Sequence, residues 1–216
     1  MLNESARKAG LPINHTSLLN YINKGSSTTG NTLLDALSNN SKVTSAQKSS
    51  YEQLEKSANS LEESAAVFSS EKEDNLFKQA KEEGTTESVK KQAKKFISNY
   101  NDTMKKLGSS DSVLNNFYKQ MMQEAYGESK EGLLGIGIAA DKNGNLSLDE
   151  SKFDAADLDT LENVLGEDSA FSVKTGYIAS RIASNAESYL ESMSSQYSAA
   201  GKNYSSYLNS KYDFLG

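Results

Sequence analysis

"YEQLEKSANSLEESAAVF", residues 51–68, decides the fold class of this chain. Tyr51, Leu54, Ala58, Leu61, Ala65 and Phe68 recur at gaps of three and four. A helix returns side chains to one face at that spacing, whereas a strand would scatter them over two. The stripe is narrow, an a/d seam of two and a half heptads, and the positions between are Ser, Glu, Lys and Gln. Long helices that bury only such a stripe pair with one another rather than enclosing a thick core.

The same period returns downstream. "EKEDNLFKQAKEEG" (71–84) reads as a short helix ending near Gly84. Val89, Ala93, Phe96, Tyr100, Met104 and Leu107 make a second seam, stopped by Gly108. "SSDS" (109–112) supplies an N-cap for a third helix, with Val113, Leu114, Phe117, Met121 and Ala125 as its apolar positions. Asp157 caps "LDTLENVL" (158–165). A last, long seam carries Val173, Ile178, Ile182, Tyr189, Met193, Tyr197, Ala200, Tyr204 and Leu208, with Gly201 as its weak point.

The texture changes between 134 and 149, where alternating apolar residues flank "DKNG". A calcium loop starting at Asp141 would need Gly at its sixth position and a carboxylate at its twelfth. Those places hold Leu146 and Lys152. A hairpin accounts for the stretch better. A three-residue loop, Lys142-Asn143-Gly144, sets Ile138 opposite Leu148 and Ala140 opposite Leu146, so apolar residues share a face. That loop closes with Gly144 in the left-handed region, as a G1 bulge requires.

Composition sets the remaining bounds. The 216 residues are 36% hydrophobic, with no Cys, no Trp, one His and a net charge of −6. Nucleic acid is disfavoured by the charge. Thiolate metal sites, thiol catalysis and a Ser-His-acid triad centred on the lone His15 all lack parts. No catalytic, cofactor or metal residue is assigned. The apolar run "GLLGIGIAA" (132–140) is too short to span a bilayer. The N-terminus shows no cleavable signal peptide. The lysines of "VKKQAKK" (89–95) read as a solvated face.

Residues 1–44 are polar and read as flexible, interrupted by "SLLNYI" (17–22) and "TLLDAL" (32–37). These clusters suit either docking on a partner or packing on the rest of the chain. Six of the eleven tyrosines lie between 177 and 212. Tyr197, Tyr204, Tyr207 and Leu208, in the more polar end, are the candidate partner contacts.

The expected fold is mainly α, an elongated antiparallel helical bundle or coiled coil over residues 45–216. Residues 51–68 pair with part of 173–197, and one small β-hairpin at about 134–149 covers an end.

"KKFISNYNDTMKKL" (94–107), "LLGIGIAADKNGNLSLDESKFDAA" (133–156) and "GYIASRIASNAESYLES" (176–192) occur in an order that resembles the C-terminal stem of flagellar hook-associated protein 2, the filament-capping family. Phe96, Ile97, Tyr100, Asn101, Ile138, Asp141, Gly144, Leu146 and Leu148 carry the resemblance. That family's large β-rich middle domains have no room in the short interval before residue 94, so the resemblance is to a truncated relative. It implies a non-enzymatic structural protein, exported to the flagellum without a cleavable signal peptide. Its partners would be flagellar axial subunits or further copies of itself. A surface interaction module unrelated to motility, and a cytosolic export chaperone or regulator, are the alternatives.

Overall fold

The structure, a computed structural model, describes residues 45–70, 72, 75–110 and 112–212, with side chains described as far as Met193. The readings made for residues 1–44 fall outside the described residues.

Four helices build the bundle: α1 (Ser45–Phe68), α3 (Glu87–Leu107), α4 (Val113–Glu128) and α8 (Ala170–Tyr212). The expected seams at 51–68 and 89–107 are the buried faces of α1 and α3, with Leu54, Ala58, Leu61, Ala65, Val89, Phe96 and Tyr100 all inside. Two contacts fix the direction of α8 against α1. Tyr51 and Tyr189 stack with ring centroids 4.0 Å apart. At the other end, a Cβ on Gly176 would lie 3.2 Å from that of Ala65. As one index rises the other falls, so the pair is antiparallel, and small residues let the backbones approach.

α3 also runs antiparallel to α1, and amides set the register. Asn99 Nδ2 donates to Ser60 O at 2.9 Å, and Gln92 Nε2 donates to Ser64 O at 2.9 Å. α4 then turns back along α3 and α8. The Tyr100 hydroxyl donates to Met122 O at 3.1 Å, Asn185 donates to the Tyr118 hydroxyl, and Lys174 pairs with Glu128.

The shorter elements follow their caps. α2 (Leu76–Glu83) starts at Asn75, whose side chain accepts from Phe77 N and Lys78 N, and stops at Gly84 with φ +65°. α7 (Leu158–Leu165) starts at Asp157, which accepts from Thr160 N at 2.7 Å. Such caps satisfy helix N–H groups that have no partner within the helix.

β1 (Ile138–Ala140) and β2 (Leu146–Leu148) form one antiparallel ladder with Ile138 opposite Leu148 and Ala140 opposite Leu146. The apolar pattern specifies this register. The hairpin is nevertheless shorter than the expected 134–149. Leu134 and Gly135 belong to α5 (Lys130–Gly135), which buries Leu133. The Gly-Ile-Gly-Ile alternation is therefore a helix end, a turn and the first strand residue in sequence. Gly137 makes the switch at φ +85°, and its carbonyl accepts from Asp149 N at 2.8 Å.

The hairpin does not cover an end of the bundle, as expected, but lies along the flank of α3. Leu146 meets Asn101, Glu150 pairs with Lys94 at 2.7 Å, and Asp154 pairs with Lys90 at 2.9 Å. The segment through α6 (Glu150–Ala155) thus tracks α3 backwards. Lys90 and Lys94 are consequently ion-paired rather than merely solvated, although such partly exposed pairs contribute little to stability.

α4 departs most from its sequence pattern. The buried positions are Asn115, Tyr118, Met122, Ala125 and Tyr126, one residue on from the expected seam. The hydroxyls of Tyr118 and Tyr126 find hydrogen-bond partners inside, so these rings turn inward. Val113 is 52% exposed, and Leu114, Phe117 and Met121 are half-buried. In α8 the buried seam begins at Phe171, two residues before Val173, and the backbone stays helical through Gly201.

Gly137 should be the least replaceable residue of the hairpin. A Cβ there would lie 2.6 Å from the backbone oxygen of Asp149, whereas one on Gly144 would meet the side-chain ends of Gln123 and Met104. Gly137→Ala should cost about 2–5 kcal/mol and Gly144→Ala about 1–2 kcal/mol, from the positive φ plus overpacking. Urea unfolding of both variants checks the ranking, and equal costs would refute it.

Candidate functional site

The residues singled out by pattern in 94–107 and 133–149 converge on one place. Phe96 and Tyr100 point into the core, and Ile97 is 8% exposed on the same helix. Asn101, one position past Tyr100, faces the hairpin. Its Nδ2 donates to Leu146 O at 2.8 Å, and Leu146 N donates to its Oδ1 at 2.7 Å. One side-chain amide therefore satisfies both backbone groups of a β2 residue, as a neighbouring strand would. Asp or Leu at 101 could supply only one of those bonds or neither.

Ile138 and Leu146 are buried beneath this clamp, and Leu148 packs partly against the core. A second tie comes from α4, where Ala140 N donates to the Tyr126 hydroxyl at 3.1 Å. Gln123 Nε2 donates to Asn143 O at 3.2 Å, which holds the tip. The hairpin is thus pinned at its base, middle and turn.

Asp141 organises the turn itself. Its Oδ1 accepts from Asn143 N and Asn145 N, each at 2.8 Å, and its Oδ2 accepts from Asn145 Nδ2 at 3.2 Å. Asp141 N donates to Asn145 O at 2.9 Å, and Gly144 N donates to Asp141 O at 3.0 Å. The Asn145 backbone N–H, then its side chain, then Asn143 hold the Asp141 carboxyl below its ordinary value of 3.8. These are the contacts of an Asx turn, in which the carboxylate oxygens face the loop's own donors.

Above the clamp lies an aromatic cluster. Phe171 contacts Phe96 at 5.6 Å, Tyr100 at 6.1 Å and Tyr126 at 6.4 Å, and Phe96 contacts Phe68 at 5.8 Å. Burial, then the nearby Tyr126, pushes the Tyr100 hydroxyl well above its usual range. Sequence reasoning did not single out Phe171 or Tyr126. Two signals were available for Phe171: it stands four residues before Thr175 on the helical period, and two after Ser169, whose hydroxyl accepts from Ser172 N at 3.3 Å.

Tyr197, Tyr204, Tyr207 and Leu208 all fall on the backbone of α8, and their side chains lie outside the described residues. They are not brought to the hairpin. Ser45 precedes Tyr51 by six residues on α1, and Tyr189 stacks on Tyr51 in the antiparallel pair, so Ser45 stands level with about residue 195. α8 runs on from there to Tyr212, roughly 25 Å at 1.5 Å per residue. Among the described residues, no group of three or more His, Cys, Asp or Glu side chains is placed to hold a metal ion. None of the described helices is long and apolar enough to cross a membrane.

An antiparallel helical bundle with one hairpin clamped to its flank defines a structural stem. Residues 109–213 match the family model described as flagellar hook-associated protein 2 C-terminus, so this part of the chain is similar to that family. No curated protein and no solved structure matches the chain. The matched region begins after α3, so Phe96, Ile97, Tyr100 and Asn101 lie outside it. Packing joins them to it through Leu146, Met122 and Phe171. Between α1 and α3 the described chain holds α2 alone.

Asn101→Ala should lower stability by about 1–3 kcal/mol, because it orphans a partly buried N–H and a carbonyl together. Hydrogen exchange at the Leu146 amide should accelerate more than exchange at the core of α1. Uniform acceleration would mean that Asn101 is an ordinary packing residue.

The turn should also weaken in acid. A carboxyl with a depressed folded pKa stabilises the fold above its unfolded value, near 3.8, and loses that contribution as pH falls through the lower folded value. Titration followed at the Asn143 and Asn145 amides should show a midpoint below pH 3.8. A midpoint at or above it would contradict the hydrogen bonding described.

Proposed function

We propose that this protein is a non-enzymatic structural component of the flagellar cap type, which docks by the C-terminal stretch of α8 onto an axial assembly of flagellar subunits or onto further copies of itself. The observation that carries this reading is the continuation of α8 past the level of Ser45, within a region that matches the C-terminus of flagellar hook-associated protein 2. A helix with amphipathic tyrosines that outruns the described end of its partner offers a seam for another helix. The clamped hairpin and the aromatic cluster support the same reading, because they stiffen the base from which that helix projects.

Export to the flagellum is part of this reading, and the similarity to the flagellar hook-associated protein 2 C-terminus supports it. Fractionation should then place the chain with sheared filaments or in culture supernatant.

Removal of residues 198–216 should abolish co-sedimentation with flagellar filaments while shifting the melting temperature by no more than about 2 °C, since the described core residues lie before residue 194. Parallel loss of binding and melting temperature would make the tail part of the core. Retained sedimentation would place docking elsewhere.

A further inference from the structure

The chain has no cysteine, so no disulfide can staple its helices. Its eleven tyrosines carry the other side chain that an oxidant couples, ring to ring.

One pair is set apart by its geometry. Tyr51 of α1 and Tyr189 of α8 stack with ring centroids 4.0 Å apart and planes tilted by 31°. The rings of the core cluster stand 5.6–6.4 Å apart. Tyr51 and Tyr189 are both half-buried, and both line one cleft of about 340 Å³. Exposed Ala46 and Ser109 share that lining, so solvent and a small oxidant reach the rings. Tyr100 and Tyr126, by contrast, are shut inside the core. The two hydroxyls of the stacked pair also lie near enough to interact. Burial, then the Tyr189 hydroxyl, raises Tyr51 above its ordinary value of 10.0, and a hydrogen bond with Ser112 acts in the opposite sense.

We propose that Tyr51 and Tyr189 form an oxidative crosslinking site, at which a one-electron oxidant joins the two rings as dityrosine and staples α1 to α8.

The oxidant removes one electron and one proton from each phenol. The two phenoxyl radicals then pair their electrons in a single bond between Cε carbons, the positions beside the hydroxyls. The hydrogen on each bonded carbon passes to its ring oxygen as a proton, which restores both phenols. Two electrons and two protons leave in all. Holding both rings in contact turns a bimolecular encounter into a step within the fold.

The bond joins residues far apart in sequence, so it restricts the unfolded chain strongly. It also sits at the base of the α8 stretch that continues past Ser45, and fixes that base to α1. The site stands whether or not that stretch docks on flagellar subunits.

The test uses the full-length protein at low concentration. It is oxidised briefly with photogenerated ruthenium(III) tris-bipyridyl, with persulfate as the final electron acceptor. Peptide mapping should find Tyr51 joined to Tyr189 within the monomer, at a yield at least about tenfold above that of the same protein unfolded in urea. The crosslinked monomer should melt at least about 5 °C higher. Tyr51→Phe keeps the ring and should abolish this link, whereas Tyr177→Phe should leave it intact. Equal yields from folded and unfolded protein would overturn the proposal. So would links confined to other tyrosines or to dimers, or an unchanged melting temperature.

Discussion

Phe171 is the side chain on which the bundle converges. It stands at the start of α8 and touches Phe96 and Tyr100 of α3 and Tyr126 of α4. Phe96 passes the contact to Phe68 of α1. Four helices thus share one aromatic cluster whose edge-to-face pairs add directional preference to plain burial. A chain that is only 36% hydrophobic has few alternatives to such concentration. Away from the cluster, α1 and α8 mix buried Leu54, Leu61, Ile178 and Ile182 with small residues, and at Ala65 and Gly176 the backbones approach closely.

Polar contacts determine how the layers register. Gln92 and Asn99 reach from α3 to carbonyls of α1, and Asn101 reaches in the opposite sense to the backbone of β2. Each would be left with unsatisfied partners by a shift of one helical turn, which makes the slipped arrangement costly rather than merely less packed. The Asn101 contact couples helix to hairpin, so the hairpin behaves as part of the stem. Most of the elements joined in this way, α4 through α8, lie in the region similar to flagellar hook-associated protein 2 C-terminus.

Much of this was legible in the order of residues. Period three-four marked α1 and α3, because a helix must bury a stripe to persist. Gly84, Ser112 and Asp157 marked helix ends, because their side chains or conformations satisfy terminal groups locally. The hairpin register followed from matching Ile138 to Leu148 on one face. Each of these is a local rule, or a rule with one consistent solution.

Three features needed the tertiary structure. α4 has two apolar stripes, and the pattern cannot say which turns inward. The choice fell to the face whose Tyr118 and Tyr126 hydroxyls find partners on Asn185 and Ala140. Leu134 and Gly135 joined a helix rather than a strand, since burying Leu133 with Ile136 outweighed a local alternation. Asn101 could be read as a motif residue, yet its role depends on Leu146, forty-five positions away. The sequence by itself therefore determined the long helices, most of their ends and the hairpin register, because those depend on near neighbours. Only the tertiary structure decided which faces meet and which polar groups close the fold, because hydrogen-bond satisfaction between distant segments has no periodicity to betray it.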